Sequence, residues 1–174
     1  MRKPRSETMA SDPILPAAPV EDIDRMMEIM EAAFDPRWGE AWNRRQLSDA
    51  LVTPSTHYLL CDVSGNCPGD RAAEQAGFLL SRAAPGEEEL LLVAVRPEYR
   101  RRGHAAKLIE RFFRDAAARG AEAVFLEMRE NNPARKLYER SGFEPIGRRR
   151  GYYRESNGER LDALTFKRSL LTFL

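Results

Sequence analysis

The chain has 174 residues, of which 43% are hydrophobic and 32% charged, as in an ordinary soluble globular protein. Its formal net charge of +1 argues against binding to nucleic acid or membranes through bulk charge, because any positive field must then be local. No apolar run approaches the ~20 residues that a membrane-spanning helix needs.

The N-terminal segment, residues 1–13, is polar and basic and has no hydrophobic region behind it. We therefore expect a disordered lead-in rather than a secretory signal, followed by one domain over residues 14–174. A short edge strand interrupted by proline is expected from Ile14.

The first predicted helix begins near Glu21, where acidic residues favour a helix start, and ends before Pro36. Its apolar stripe indicates a face packed on the core and consists of Ile23, Met26, Met27, Met30 and Phe34. A loop with Trp38 and Trp42 leads to a second helix, whose Leu47, Ala50 and Leu51 face inward. The tryptophans either anchor this loop on the core or contact a substrate.

Strands are predicted over residues 57–63, 77–82 and 90–95, with a turn at residues 84–86. Cys61 and Cys67 lie in a stretch that contains Ser, Gly, Asn and Pro, and they have no metal-ligating neighbours. We therefore expect incidental free thiols in a reduced, cytoplasmic protein.

After Gly103 the apolar residues follow the i, i+3, i+4, i+7 spacing of an amphipathic helix, which ends at Arg119-Gly120. A buried strand over residues 123–128 should lie parallel to the strand at residues 90–95. A helix over residues 131–141 and two strands, 143–149 and 161–167, joined by a turn at residues 156–159, complete an α/β domain with a mixed sheet.

The turn between the central strand and its helix is suited to an anion. Backbone N–H groups at a helix start are free, and the helix dipole favours negative charge there. Arg100, Arg101 and Arg102 add positive charge, and Gly103 allows a phosphate to approach the backbone. The alternative is a solvated arginine face. A Gly-Lys-Ser/Thr ending and a G-x-G-x-x-G pattern are both missing, which disfavours nucleotide and dinucleotide sites.

Two blocks carry a family resemblance: Arg100-x-x-Gly103-x-Ala105, and EMRENNPARKLYERSGF at residues 127–143. Together they resemble the signatures of the GNAT superfamily of N-acetyltransferases. The resemblance implies a mixed, mostly antiparallel sheet of six to seven strands, splayed between its central strands and flanked by helices. It also implies acetyl-CoA as co-substrate.

The resemblance further assigns site residues. The backbone of Val93, Ala94 and Val95 would pair with the pantetheine arm, as in strand addition. Asn131 would point at the cofactor, although the chain is one residue shorter here than many relatives, which leaves Asn132 as an alternative. The pyrophosphate would lie on the loop formed by Arg100, Arg101, Arg102, Gly103, His104, Ala105 and Ala106.

Direct acetyl transfer needs a base for the amine and an acid for the leaving thiolate. The resemblance assigns Glu127 as the base and Tyr138 as the acid. Their alternatives are a salt bridge to Arg129 or another nearby arginine, and a buried aromatic ring with a satisfied hydroxyl. The side chains of His57 and His104 are expected to be exposed and inert, and no metal cluster is expected.

Within the superfamily the chain resembles the ribosomal-protein-alanine N-acetyltransferases, through Gly151-Tyr152-Tyr153 and Asp162-Ala163-Leu164. This similarity implies a protein N-terminus as acceptor and Trp38, Tyr152 and Tyr153 as substrate contacts. An α-amine costs about 3 kcal/mol less than lysine to deprotonate at pH 7, which permits that choice. The alternatives are a small-molecule amine or lysine side chain as acceptor, or a non-enzymatic acyl-CoA-binding module. A monomer or weak dimer is expected.

Overall fold

The computed structural model describes residues 18–36, 41–155 and 157–171 of the chain. The expected lead-in and the edge strand from Ile14 lie outside these ranges. None of the described helices is both long and apolar enough to cross a membrane. In chain order the elements are α1 (Val20–Ala33), α2 (Arg44–Leu51), β1 (Thr56–Asp62), β2 (Gln75–Ala84), β3 (Glu87–Val95), α3 (His104–Ala118), β4 (Ala123–Arg129), α4 (Arg135–Arg140), β5 (Glu144–Arg154) and β6 (Arg160–Ser169).

The six strands form one sheet in the order β1-β2-β3-β4-β6-β5. Neighbouring strands are antiparallel except β3 and β4, which are parallel and connected through α3. A parallel pair needs such a long crossover, whereas antiparallel pairs can be joined by short turns. The predicted mixed, mostly antiparallel sheet with flanking helices is confirmed.

Helices cover the two faces of the sheet unequally. On one face α3 packs over β1, β2 and β3 and buries Leu108, Ile109 and Phe112 in a core cluster, as the stripe predicted. On the other face α1 and α2 pack over β1, β2 and β3. The rest of that second face is more open, because Phe125 and Glu127 of β4 are only half-buried there.

The segment before α2 is anchored by one of the two tryptophans. Asn43 caps α2 by accepting a hydrogen bond from the N–H of residue 46, and Leu47 is fully buried. Trp42 packs against the same core cluster, and its backbone N–H lies 2.9 Å from the sulfur of Met30. This favours the anchoring role for Trp42, while Trp38 lies outside the described residues.

The two cysteines form a disulfide, so the prediction of free thiols is wrong. The carboxylate of Asp62, at the end of β1, accepts hydrogen bonds from the backbone N–H groups of Asn66 and Asp70 at 3.0 and 3.1 Å. These bonds fold the connection back along β1. The Cα atoms of Cys61 and Cys67 then lie 4.6 Å apart, within the range of a disulfide.

Candidate active site

A wedge opens between the two parallel strands. Their pairing runs from Glu87 with Ala123 to Leu90 with Leu126 and extends no further in the described chain. The register of β3 against β2 shifts at Leu91, which is the extra residue of a β-bulge. Because a bulge increases the local twist, β3 turns away from β4 beyond this point. The splayed central strands implied by the family resemblance are confirmed.

The wedge exposes main-chain groups of β3. Val93, Ala94 and Val95 pair with β2 on one side, and the β3–β4 pairing has already ended on the other. Backbone groups on that side are therefore available to an extended ligand, in the manner of an added strand, except the carbonyl of Val95, which accepts a hydrogen bond from Arg100. The predicted pantetheine contacts lie in this part of the strand.

The loop after β3 leads directly into an uncapped helix start. Arg101 and Gly103 have φ angles of +63° and +86°, and α3 begins at His104. Gly103 has no side chain with which to cap the first turn, so the N–H groups of the first turn stay free of a side-chain partner. Arg101 and Arg102 are exposed beside them. This geometry is suited to an anion, and anion binding at this helix start stays a prediction.

Arg100 uses its side chain to hold the loop in place. Its guanidinium donates to the carbonyl of Val95 at 3.1 Å and to the carbonyl of Ala33 at 2.7 Å. It thereby connects the end of β3 to the end of α1. Its contact with a cofactor stays a prediction.

His104 is buried, with 5% of its surface exposed, so the expectation of an exposed, inert side chain is wrong. Its Nδ1 lies 3.2 Å from the carbonyl oxygen of Tyr99, and its Nε2 lies 3.3 Å from that of Val63. The imidazole therefore joins the loop to the segment that follows β1. His57 is half-buried, so it is not exposed either. Its burial lowers the pKa of its imidazole, and the positive charge of Arg119 lowers it further.

Glu127 lies on β4 just beyond the last paired residue, at the edge of the wedge. Its carboxylate is 24% exposed, and both of its oxygens contact the guanidinium of Arg149 on β5. The salt-bridge alternative considered from the sequence is therefore present, with Arg149 as the partner. Arg129 donates instead to Asn131, at 2.7 Å.

Tyr138 lies on α4 with 8% of its surface exposed and packs edge-on against Phe143, with 5.9 Å between the ring centroids. The predicted helix start at Asn131 is wrong, because α4 begins at Arg135. The side chain of Asn132 accepts a hydrogen bond from the N–H of residue 134 at 2.8 Å, which stabilises a turn there instead of a helix. Asn131 is exposed.

The tyrosine pair on β5 is held by an interaction that the sequence did not reveal. Tyr152 is 54% exposed and Tyr153 half-buried, and their rings are perpendicular with centroids 5.1 Å apart. Gly151, with φ +58°, donates its N–H to the carboxylate of Asp162 at 2.7 Å. This hydrogen bond is the largest cause of the lowered pKa of Asp162, and the guanidinium of Arg148 is the second. The Gly-Tyr-Tyr and Asp-Ala-Leu motifs lie on the two strands of one predicted hairpin, and this arrangement could have indicated the hydrogen bond between Gly151 and Asp162.

The part of the chain that the structure describes contains no group of three or more histidine, cysteine or acidic side chains arranged to hold a metal ion.

Comparison with known sequences agrees with this geometry. Residues 23–143 match the acetyltransferase (GNAT) family. The N-alpha-acetyltransferase RimI of Mycobacterium tuberculosis is 33% identical over 151 residues, which cover 84% of this chain and 86% of that protein. A ribosomal protein bS18-alanine N-acetyltransferase of Haemophilus ducreyi is 28% identical over 145 residues, covering 83% of this chain and 91% of that protein.

Solved structures show the same fold. The crystal structure of the ribosomal-protein-S18-alanine N-acetyltransferase from Escherichia coli superposes with a TM-score of 0.73 at 23% identity, covering 91% of this chain and 94% of that one. Arabidopsis thaliana NAA60 in complex with acetyl-CoA superposes with a TM-score of 0.66 at 20% identity, covering 86% and 94% of the two chains. The architecture inferred from the sequence is confirmed.

Proposed function

Since this chain belongs to the acetyltransferase (GNAT) family, we propose that it transfers an acetyl group from acetyl-CoA to the N-terminal α-amine of a ribosomal or other small protein. It is an acetyl-CoA-dependent N-acetyltransferase. The observation that carries the proposal is the open wedge, because its β3 edge leads into the uncapped start of α3 and its β4 edge carries the carboxylate of Glu127 where the pairing stops.

The donor would be held by main-chain groups. Val93, Ala94 and Val95 would pair with its pantetheine arm, and the N–H groups from Gly103 to Ala106 would bind its diphosphate, with Arg101 and Arg102 beside them. Acetyl-CoA supplies a thioester that is activated toward amines. Asn131 or Asn132 would contact the donor near the start of α4.

Two side chains would move the protons. Glu127 would accept the proton that the acceptor ammonium must lose before its nitrogen can attack. Tyr138 would donate its phenolic proton to the sulfur that leaves, since a phenol and a thiol have comparable pKa values of about 10 and 8.5. Burial of Tyr138 beside Phe143 holds the ring in one orientation.

The acceptor would lie over the open half of the sheet, where Glu127 and the exposed Tyr152 are found. Two relatives named for N-terminal or ribosomal-protein acetylation support a peptide N-terminus there. An α-amine has a pKa of about 8 against about 10.4 for lysine, so a single carboxylate can deprotonate it at neutral pH. A cytoplasmic location is part of the proposal, because ribosomal proteins are made there.

The test is CoA release from acetyl-CoA with three sets of acceptors: free N-terminal peptides, lysine peptides with blocked N-termini, and polyamines or aminoglycosides. We expect only the first set to react. Reaction confined to the third set would indicate a small-molecule enzyme. Binding of acetyl-CoA without any transfer would indicate a non-enzymatic module.

The base is tested with Glu127→Gln. We expect kcat to fall by about 10²- to 10⁴-fold, the usual contribution of a general base, while the Kd for acetyl-CoA stays the same. Glu122→Gln is the control, because Glu122 is an exposed carboxylate just before the opposite end of β4. Normal turnover in both variants would exclude Glu127 as the base.

A further inference from the structure

Arg149 reaches Glu127 across an intervening strand. In the sheet order β6 lies between β4 and β5, so the two backbones are separated by about 10 Å. Thr165 pairs with Glu127, and Ala163 pairs with Arg149. These two residues of β6 are small enough for the arginine to lie flat over the sheet and contact both carboxylate oxygens.

A second contact is made by the same guanidinium. Its central carbon lies 3.8 Å from the centroid of the Tyr152 ring, which is a close cation–π contact. The Arg149 side chain is nevertheless 51% exposed, so it is not locked in place by packing. Arg149 is thus a surface cation with two partners, of which Tyr152 remains available when Glu127 is occupied.

The contact with Glu127 conflicts with the role of Glu127 as a base. An α-amine reaches the site at pH 7 mainly as an ammonium ion, because its pKa is about 8. That ammonium needs the carboxylate oxygens that the guanidinium already contacts. Two cations at one carboxylate repel each other, so binding of the ammonium weakens the contact of the guanidinium with Glu127.

We propose that Arg149 is a movable counter-ion of Glu127, which the acceptor ammonium displaces and the Tyr152 ring then holds. The proposal depends on the proposed function, since it takes Glu127 to be the base. It makes Arg149 a positioning residue that orients the carboxylate before the acceptor binds. It also makes acceptor binding a competition between two cations.

The other cation beside Glu127 on its own strand is not suited to this exchange. Arg129 is 5% exposed, and it donates to Asn131. On β6 the cation of that face is Lys167, whose ammonium lies over the Phe125 ring at 5.6 Å from its centroid. Arg149 is therefore the cation whose removal tests the exchange.

The test separates acceptor KM from kcat. In Arg149→Met, which keeps an apolar stem on Tyr152 but has no charge, we expect the acceptor KM to fall by about fivefold, as loss of an exposed ion pair allows, with kcat preserved. Arg149→Lys should restore a KM close to that of the wild type. Arg150→Met, at the next and exposed position of β5, should leave KM unchanged.

Removing the second partner gives an independent measurement. The Tyr152→Leu variant lacks the aromatic ring that would hold the displaced guanidinium of Arg149. Displacement is then less favourable, so the acceptor KM should rise. The double variant Arg149→Met/Tyr152→Leu should show no such rise relative to Arg149→Met alone, because the cation that needs the ring is gone.

The outcomes separate this proposal from the one on which it depends. If Glu127→Gln turns over normally, the base assignment fails, whatever Arg149 does. If Glu127→Gln is slow but Arg149→Met leaves the acceptor KM unchanged, or lowers kcat without lowering KM, the salt bridge is only structural and the exchange is refuted. A fall in KM that Arg149→Lys reverses supports the exchange.

Discussion

Replacement of Gly103 by alanine tests the anion site at the start of α3. Gly103 has a φ of +86°, a conformation in which a β-carbon costs about 1–2 kcal/mol. A Cβ atom there would have no heavy atom within 4 Å, so the cost is backbone strain without a collision. For a domain of this size 1 kcal/mol corresponds to a shift in Tm of about 2–4 °C. We therefore expect a folded variant with a Tm lowered by about 2–8 °C.

The same strain should weaken binding of the donor. Relaxation of the backbone at Gly103 reorients the N–H groups of His104 and Ala105, which face the proposed diphosphate site. A hydrogen bond to a charged group contributes about 1.5–3 kcal/mol, so loss of one would raise the Kd for acetyl-CoA by about ten- to a hundredfold. Isothermal titration calorimetry measures the Kd, and differential scanning calorimetry measures the Tm.

Gly120→Ala is the matched control. Gly120 follows the opposite end of α3, has a φ of +91°, and likewise has no heavy atom within 4 Å of an added Cβ. The Tm of this variant should fall by a similar amount, while its Kd for acetyl-CoA should not change. If both variants lose Tm equally and both bind acetyl-CoA like the wild type, the amides at the start of α3 do not hold the diphosphate.

Three further predictions concern the acid, the hairpin and the disulfide. Tyr138→Phe keeps the buried ring but removes the hydroxyl, so kcat should fall by about 10²- to 10⁴-fold with acetyl-CoA affinity unchanged; normal turnover would exclude Tyr138 as the acid. The pKa of Asp162 is lowered chiefly by the Gly151 N–H, so its stabilising contribution is complete above the unfolded value of about 3.9 and is lost as the pH falls through the folded value. In acid titrations followed by circular dichroism, Asp162→Asn should therefore start less stable and lose less on acidification, and parallel curves would contradict this. Reduction of the Cys61–Cys67 disulfide should lower the free energy of unfolding by about 2 kcal/mol in urea titrations, as expected for a short loop, whereas Cys61→Ala/Cys67→Ala should not respond to dithiothreitol.

The amphipathic pattern of α3 shows how local residues predict an element and its orientation. The spacing of Leu108, Ile109 and Phe112 indicated a helix with one buried face, and these residues are at most 1% exposed. Gly103 before the helix and Gly120 after it marked the boundaries, and both have positive φ angles. A helix stripe and its end glycines depend on residues that are close together in the chain, so both can be predicted from the sequence alone.

The loop and helix start of the proposed donor site could be inferred for the same reason, whereas its strand residues were implied by the family resemblance. The site consists of one strand, one loop and one helix start that are consecutive in the chain. The bulge at Leu91, which separates β3 from β4, was not foreseen, because a register shift depends on the partner strand.

Contacts between distant residues required the tertiary structure. The partner of Glu127 is 22 residues away on a strand that is not its neighbour, and the acceptor for the Gly151 N–H lies 11 residues along the chain. His104 faces Val63 across 41 residues, so its burial could not be inferred from its place in an exposed loop.

The sequence by itself therefore determined the order of the elements, the free amides at the start of α3 and the carboxylate at the end of β4. The tertiary structure decided which cation contacts that carboxylate, which acid holds the tyrosine hairpin and that the cysteines are joined. The physical reason is that hydrophobic periodicity and glycine conformation act within one element. Ion pairs and disulfides instead depend on strand register and on chain reversals that bring separate elements together.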